Sequence, residues 1–196
     1  MAQMKVISLV LASASPRRAE LLRNAGIPFT VDVANISEEV APGEGPVQHA
    51  ERLAREKAEV VAKRNPGKIV LGADTIVVVD DQILGKPRDA EDAGRMLQLL
   101  SGREHQVITG VCVAKLGTRN QQLATRSEQT TVHFAPLSWT DINEYIATNE
   151  PMDKAGAYAI QGIASRWITK IDGDYANVVG LPVALVWKML QEFPPK

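Results

Sequence analysis

The sequence predicts an α/β fold in which a mixed β-sheet is flanked by helices. Three observations support this prediction: apolar runs of strand length, longer segments with apolar residues at helical spacing, and the alternation of the two along the chain. With 196 residues, of which 45% are hydrophobic, the chain is long enough to bury its own core. We therefore expect residues 1–196 to form a single domain, with room for two tightly joined lobes.

The predicted strands are short apolar runs that end at turn-forming residues. They cover Val6–Leu11, Phe29–Ala34, Lys68–Ala73 with Thr75–Val79, Gln82–Leu84, Gln106–Lys115 and Glu128–Phe134. The third run is expected to break at Asp74, and Asp80-Asp81 predicts a hairpin turn into the fourth. A loop is expected over Gly117–Gln121, and Ile160–Ile171 is expected to mix loop and strand.

The predicted helices begin and end at residues that commonly cap helices. They cover about Arg17–Ala25, Pro46–Asn65, Asp89–Leu100, Trp139–Thr148 and Leu181–Phe193. Pro16 suits a first helical turn, and Gly26 suits a helix end. Asp89 is the expected N-cap of the third helix, and either Ser138 or Thr140 is expected to cap the fourth.

The composition narrows the classes of partner. A formal net charge of −1 and an aromatic content of 5% argue against a surface that coats nucleic acid. The sequence contains no run of 18 apolar residues, so it predicts no membrane span. The single cysteine, Cys112, lies in an apolar run, which predicts a buried structural thiol and a reducing compartment. We expect a cytoplasmic protein without a membrane or nucleic-acid partner.

The segment Leu11–Arg18 has the composition of a phosphate-binding turn between a strand and a helix. Small residues let the backbone approach a ligand, and the N-terminus of a helix offers free N–H groups to phosphate oxygens. Ser13 would add a hydroxyl donor, and Arg17 and Arg18 would add charge. On this segment alone, an ordinary capped helix with solvated arginines is the simpler explanation, because Ser/Pro/Arg turns are common.

Charged residues elsewhere could complete a site for triphosphate cleavage. Asp74 lies inside an apolar run, where a carboxylate without a donor or cation is costly, so it is a candidate magnesium ligand or general base. Glu38-Glu39 could hold a divalent ion, and Lys57 and Lys86 could neutralise phosphate charge. Taken singly, Asp74 also suits a strand edge, and the others suit a solvated surface.

Other nucleotide-binding and metal-binding patterns are missing from the sequence. No Gly-x-x-x-x-Gly-Lys-Ser/Thr is present, and no Gly-x-Gly-x-x-Gly follows the first strand. His49, His105 and His133 show no metal-ligand spacing, so we interpret them as surface or structural residues.

Several segments, in order along the chain, resemble the Maf family. They are Leu11–Arg18, Arg52–Ala58, Gly72–Thr75, Gly85–Pro87, Ser101-Gly102, Asp153–Gly162 and Ile171–Pro182. The resemblance implies an inosine triphosphatase-like architecture with two lobes and a central cleft. It also implies hydrolysis of a nucleoside triphosphate between the α and β phosphates, with a divalent cation, Mg²⁺ or Mn²⁺, as cofactor.

The resemblance also assigns roles to residues. The catalytic set is Asp74, Lys86 and Glu38, with Asp74 and Glu38 as metal ligands, and the substrate-binding set is Ser13, Arg17, Arg18, Lys57, Thr75 and Gln161. Thr75 and Gln161 are similar to the dTTP/UTP class, because the 7-methyl-GTP class tends to carry Gln and Glu there. An amide can both donate to a pyrimidine carbonyl and accept from the ring N–H.

Two departures and two alternatives remain open. Ser37 stands where the family often has aspartate, which leaves either Glu38 or Glu39 to reach the metal, and the loop Gly162–Trp167 has less glycine than is usual. The alternative functions are a 7-methyl-GTP or broad house-cleaning pyrophosphatase, and a non-catalytic nucleotide-binding regulator of cell division. The expected partner is a small nucleotide, and a homodimer is left open.

Overall fold

The computed structural model describes residues 9–116 and 121–193, which form an α/β structure on one mixed sheet. The strands are β1 (Leu9–Leu11), β2 (Phe29–Val31), β3 (Ile69–Val79), β4 (Gln82–Leu84), β5 (Glu104–Leu116), β6 (Gln121–Phe134) and β7 (Ile168–Asp172). Six strands follow the order β2-β1-β3-β5-β6-β7, and β4 pairs with β3. The β1 pairs are parallel, whereas β3–β4 and β6–β7 are antiparallel, so the predicted mixed sheet is confirmed.

The helices agree with the predicted capping residues. They are α1 (Pro16–Asn24), α2 (Pro46–Arg64), α3 (Ala90–Leu100), α4 (Trp139–Ala147), α5 (Tyr175–Val179) and α6 (Val183–Leu190), with 3₁₀ helices at Glu150–Asp153, Ala155–Ala157 and Ile163–Arg166. Asp89 caps α3, and Ser138 rather than Thr140 caps α4. Across the described ranges, no helix has both the length and the apolar character that a membrane crossing needs.

The chain divides into two compact units. Unit 1 comprises Met1–Asp74, Thr109–Glu128 and Gly180–Lys196, and unit 2 comprises Thr75–Ile108 and Gln129–Val179.

Unit 1 buries both faces of β1, because alternate residues of a strand point to opposite sides of the sheet. Leu9 and Leu11 belong to an apolar cluster that includes residues of α1 and α6. Val10 and Ala12 belong to a second cluster with residues of α2. This burial on both sides explains why β1 is a continuous apolar run.

Unit 2 has its own apolar core. It combines residues from the end of β3, from α3 and α4, and from the segment after α4, such as Val77, Leu97, Ile142 and Tyr158. The turn between β3 and β4 has positive φ at both Asp80 (48°) and Asp81 (60°), the backbone of a tight hairpin with the predicted boundaries.

Several predicted boundaries are wrong. The second strand ends at Val31 rather than Ala34, β6 begins seven residues before the predicted Glu128, and the last helix is Val183–Leu190. Helix α5 and the 3₁₀ helices were not predicted. Residues 6–8 of the first predicted strand, and 117–120 of the predicted loop, lie outside the described residues.

The predicted break at Asp74 is also wrong. Strand β3 runs without interruption through Ile69–Val79, and the Asp74 side chain is buried within it. The break was predicted because a buried carboxylate in a strand lacks a local partner. Lys57, a residue distant in sequence, supplies that partner, so the strand continues.

Candidate active site

In unit 1, an ammonium group joins the two predicted metal-binding carboxylates. The Nζ atom of Lys57 lies 2.6 Å from Glu38 Oε1 and 2.6 Å from Asp74 Oδ1. We call these three residues the Lys57 cluster. Lys57 and Asp74 are buried, whereas the Glu38 side chain is half exposed. The structure thus brings Glu38 and Asp74 to the same ammonium group, while the Glu39 carbonyl oxygen accepts from Arg52.

Two glycines explain how α2 comes close enough to the sheet to deliver Lys57. A Cβ atom on Gly72 would lie 2.2 Å from the Ala54 carbonyl oxygen and 2.8 Å from the Ala58 amide nitrogen. A Cβ atom on Gly110 would lie 2.2 Å from the Ala50 carbonyl oxygen. Helix α2 therefore packs directly on the backbones of β3 and β5. Because Gly72 and Asp74 are two residues apart on one strand, they share a face, and the Asp74 carboxylate points toward this helix.

An ion-pair network holds the segment that carries Glu38. The Arg52 guanidinium donates to Glu44 Oε1 at 2.6 Å and Oε2 at 2.8 Å, and also to the Glu39 carbonyl oxygen at 2.9 Å. His49 Nδ1 lies 3.0 Å from Glu44 Oε2. The hydrogen bonds from Arg52 lower the pKa of Glu44 to about 2. This pairing fixes the backbone next to Glu38.

Glu44 and Arg52 were not predicted as site residues, although Arg52 opens one of the Maf-like segments. Their pairing joins the loop before α2 to the second turn of that helix. Glu44 and Arg52 are eight residues apart, which matches no local pairing rule for helices. Only the resemblance of the whole segment Arg52–Ala58 to the Maf family indicated that this region matters.

The predicted phosphate-binding turn forms the N-terminus of α1. Ser15 caps the helix, with its hydroxyl accepting from the Arg18 amide, and Pro16 occupies the first turn. Ser13 is buried, and its hydroxyl oxygen accepts from the Ser15 amide at 3.2 Å and from Arg18 Nη1 at 3.0 Å. Arg17 is half-buried on the same turn.

Arg18 faces the interior of unit 1. Its Nε donates to the Gly180 carbonyl oxygen at 2.8 Å, in addition to its bond to Ser13. Burial lowers the pKa of Arg18, and the negative charges of Asp74 and Glu38 act against that lowering. The guanidinium is therefore electrostatically coupled to the Lys57 cluster, and it ties the α1 turn to the chain before α6.

The remaining predicted site residues belong to unit 2. Thr75 is half-buried on β3, Lys86 is exposed just after β4, and Gln161 is exposed. The Gly85 carbonyl oxygen, next to Lys86, accepts from the Gly156 amide at 3.0 Å. The structure thus brings Ser13, Arg18, Glu38, Lys57 and Asp74 together within unit 1, and it ties the Lys86 segment to the 3₁₀ helix at Ala155–Ala157 within unit 2.

The histidines and the cysteine occupy structural positions. His105 is buried and bonded to the Tyr158 hydroxyl at 2.8 Å, and burial lowers its pKa to about 3. His133 pairs with Asp172. Cys112 is buried, which raises its pKa to about 11. Among residues 9–116 and 121–193, no group of three or more His, Cys, Asp or Glu side chains forms a ready metal site.

Comparison with known proteins gives a consistent result. Residues 8–193 match the family model described as Maf-like protein. The dTTP/UTP pyrophosphatase of Koribacter versatilis is 52% identical over 185 residues, 94% of each chain. That of Symbiobacterium thermophilum is 54% identical over 185 residues, 94% of this chain and 93% of its own. The Staphylococcus aureus Ham1 structure shares the fold, with a TM-score of 0.53 at 14% identity over 95% of this chain and 100% of that one.

Proposed function

This chain belongs to the Maf family, and we propose that it is a nucleoside triphosphate pyrophosphatase. It is a hydrolase of phosphoric anhydride bonds that converts dTTP and UTP into the monophosphate and pyrophosphate. The names of relatives at about 50% identity support this substrate class. The observation that carries the proposal is the Lys57 cluster, since two carboxylates converging on a buried ammonium suit metal-assisted phosphate chemistry better than passive binding.

Asp74 is the proposed activator of water. Hydrolysis breaks the bridge between the α and β phosphates, and the attacking water must lose a proton. A carboxylate can accept that proton or hold the ion that makes the water acidic. Lys57, at 2.6 Å, fixes the orientation of Asp74 and balances its charge in a buried place. Both roles fail if Asp74 is made neutral.

The proposed phosphate ligands come from the α1 turn and from lysines. Ser13 and the first amides of α1 suit phosphate oxygens, and Arg17 adds a charged donor. Arg18, bonded to Ser13, fixes the turn and contributes positive charge. Lys57 and Lys86 are proposed to neutralise the charge that shifts toward the pyrophosphate leaving group.

The proposed cofactor is Mg²⁺ or Mn²⁺, held by Glu38 and Asp74. The donor chemistry fits, because both groups are hard oxygen ligands and both lie within 2.6 Å of one atom, Lys57 Nζ. Magnesium is commonly bound by one or two carboxylates, with substrate phosphates and water completing its shell. When bound, the ion supplies positive charge to the triphosphate.

The proposed base selectivity rests on Gln161 and Thr75. Uracil and thymine present two carbonyls around one N–H, a pattern that an amide and a hydroxyl can match. Cytosine replaces one carbonyl with an amino group and the N–H with an acceptor. A polar site left unpaired by the wrong base rejects it strongly, so UTP and dTTP are expected to exceed CTP as substrates.

A nucleotide panel tests the function. Purified protein with Mg²⁺ is assayed for pyrophosphate release from UTP, dTTP, CTP, GTP and 7-methyl-GTP, beside Asp74→Asn as a matched control. Turnover of UTP and dTTP that the control lacks supports the proposal. A preference for 7-methyl-GTP, or equal rates on all five, would instead identify the other specificity class or a broad house-cleaning enzyme. Tight nucleotide binding without turnover would identify a non-catalytic regulator.

The remaining proposals concern context. We propose that residues 1–196 act as a single Maf-like domain, since one family model matches residues 8–193. A cytoplasmic location is proposed because the lone cysteine is buried and the substrates are free nucleotides. Light scattering on the purified chain distinguishes a monomer from a homodimer.

A further inference from the structure

The residue proposed to read the base, Gln161, lies in a tight turn whose two ends are held. The Gly162 amide donates to the Ala159 carbonyl oxygen at 3.1 Å, which makes residues 159–162 a β-turn with Gln161 at its third position. We call this the Gln161 turn. A turn with one internal hydrogen bond and an exposed tip does not by itself hold a side chain in one place.

A tyrosine–glutamate pair supplies the missing constraint. The Tyr145 hydroxyl accepts from the Ala159 amide at 3.2 Å and donates to Glu150 Oε1 at 2.9 Å. The same carboxylate accepts from the Ile163 amide, at 3.0 Å through Oε1 and at 3.3 Å through Oε2. The amide of the first turn residue and the amide just after the turn are therefore joined through one bonded pair of side chains.

The local sequence directs Glu150 into this position. Asn149 adopts a left-handed backbone, with φ of 60°, just after the C-cap of α4, as is common where a helix ends. The Glu150 carboxylate then lies against Gly162, where a Cβ atom would come within 2.1 Å of Oε1. Tyr145 is almost fully buried and packs edge-on against Trp167 at a centroid distance of 5.4 Å. The pair thus rests on the packed apolar core of unit 2.

We propose that Glu150, acting with Tyr145, is a positioning residue for base selectivity. It does not touch the nucleotide. It fixes the backbone on both sides of Gln161, so that the amide meets the base edge in one orientation. This inference rests on the proposed function, in which Gln161 reads the base.

The variants separate positioning from stability. Glu150→Ala removes the acceptor for both the Ile163 amide and the Tyr145 hydroxyl. Glu150→Gln keeps one acceptor oxygen and nearly the same volume, so it should still hold most of the Gln161 turn in place. Tyr145→Phe removes only the hydroxyl and serves if Glu150→Ala fails to fold. Glu144→Ala, which removes an exposed carboxylate on α4, is the matched control.

The measurement is the ratio of kcat/KM for UTP to that for CTP, with KM and kcat determined separately and the melting temperature recorded. Glu150→Ala is expected to lower this ratio by about tenfold, mainly through a higher KM for UTP, because loss of orientation weakens the correct contacts most. Tyr145→Phe should shift it in the same direction. Glu150→Gln and Glu144→Ala should stay near the wild-type ratio.

Two results would overturn the inference. In the first, Glu150→Ala and Tyr145→Phe keep the wild-type ratio of kcat/KM for UTP to that for CTP, with both substrates equally slowed. In the second, Glu150→Gln lowers this ratio as much as Glu150→Ala does. Gln161→Ala distinguishes this failure from that of the proposed function. If Gln161→Ala leaves the ratio at the wild-type value, base reading by Gln161 is itself wrong. If Gln161→Ala lowers the ratio and Glu150→Ala does not, only the positioning role fails.

Discussion

Replacing Lys57 by Met tests the centre of the site most directly. The substitution keeps the length of the side chain and removes the ammonium that bridges Glu38 and Asp74. We expect it to lower both the stability of the fold and the activity, because the same charge balances a buried carboxylate and is proposed to face the phosphates.

The burial of each partner sets the size of the effect on stability. The Lys57 and Asp74 side chains are each 10% exposed, and removing one partner of a buried ion pair costs about 3–5 kcal/mol. The Glu38 side chain is 53% exposed, and exposed pairs contribute about 0–1 kcal/mol. Nearly all of the expected loss therefore comes from leaving Asp74 without its partner. For activity, the loss of a preorganised charge lowers kcat/KM by about 10² or more.

A double-mutant cycle with Asp74→Asn is the assay. Urea unfolding of the wild type, both single variants and the double variant gives the coupling energy, which we expect to lie at about 1–3 kcal/mol in favour of the pair. Lys63→Met, on the exposed end of α2, is the control for the substitution itself. The reasoning would be refuted if Lys57→Met lowered the free energy of unfolding by the same amount in the wild type and in Asp74→Asn. Unaltered kinetics of Lys57→Met with UTP would refute it as well.

Four further outcomes are expected. Asp74→Asn should leave a folded protein that binds nucleotide, because Lys57 keeps Glu38 and the amide oxygen as acceptors, but it should retain less than about a tenth of wild-type kcat, since the amide cannot activate water. Exhaustive chelation should abolish turnover, and added Mg²⁺ or Mn²⁺ should restore it. The double variant Gln161→Glu with Thr75→Gln should hydrolyse UTP more slowly than the wild type does, and the measurement is its rate on UTP relative to its rate on 7-methyl-GTP. The pKa of Glu44 is lowered from 4.5 to about 2, so its stabilising effect is present above pH 4.5 and is lost as the pH falls toward 2. In urea unfolding between these pH values, the free energy of unfolding should therefore fall less for Glu44→Gln than for the wild type.

Much of the fold could be predicted from local sequence. Apolar runs identified β1 and most of β3, and capping residues such as Ser138 marked the helix starts. Helix α5 was missed because five residues carry too little periodicity. The first half of β6, Gln121–Ser127, was missed because it is mostly polar and none of its residues is fully buried. Local rules depend on a clear contrast between apolar and polar faces, and that contrast is weak in both segments.

The site was predicted as a set of residue types, but its connections were not. The sequence identified Asp74 and Lys57 separately, and their contact depends on the packing of α2 on β3, which no spacing rule encodes. For the same reason, the sequence indicated Arg18 as a charged donor but could not place its bond to Gly180, a residue 162 positions away. Glu150 was not singled out, because its partners come from Tyr145 and from a later turn.

The close packing of α2 on two glycines has a consequence for saturation mutagenesis. A selection for activity would score Gly72 and Gly110 as intolerant as Asp74, although neither has a side chain to offer a nucleotide. Any larger residue would push α2 outward and carry the ammonium of Lys57 away from the sheet. A parallel selection for protein abundance would separate the two kinds of position, since the glycine variants would be strongly depleted from both libraries. The Asp74→Asn variant, whose amide oxygen can still accept from Lys57, would be depleted mainly from the first.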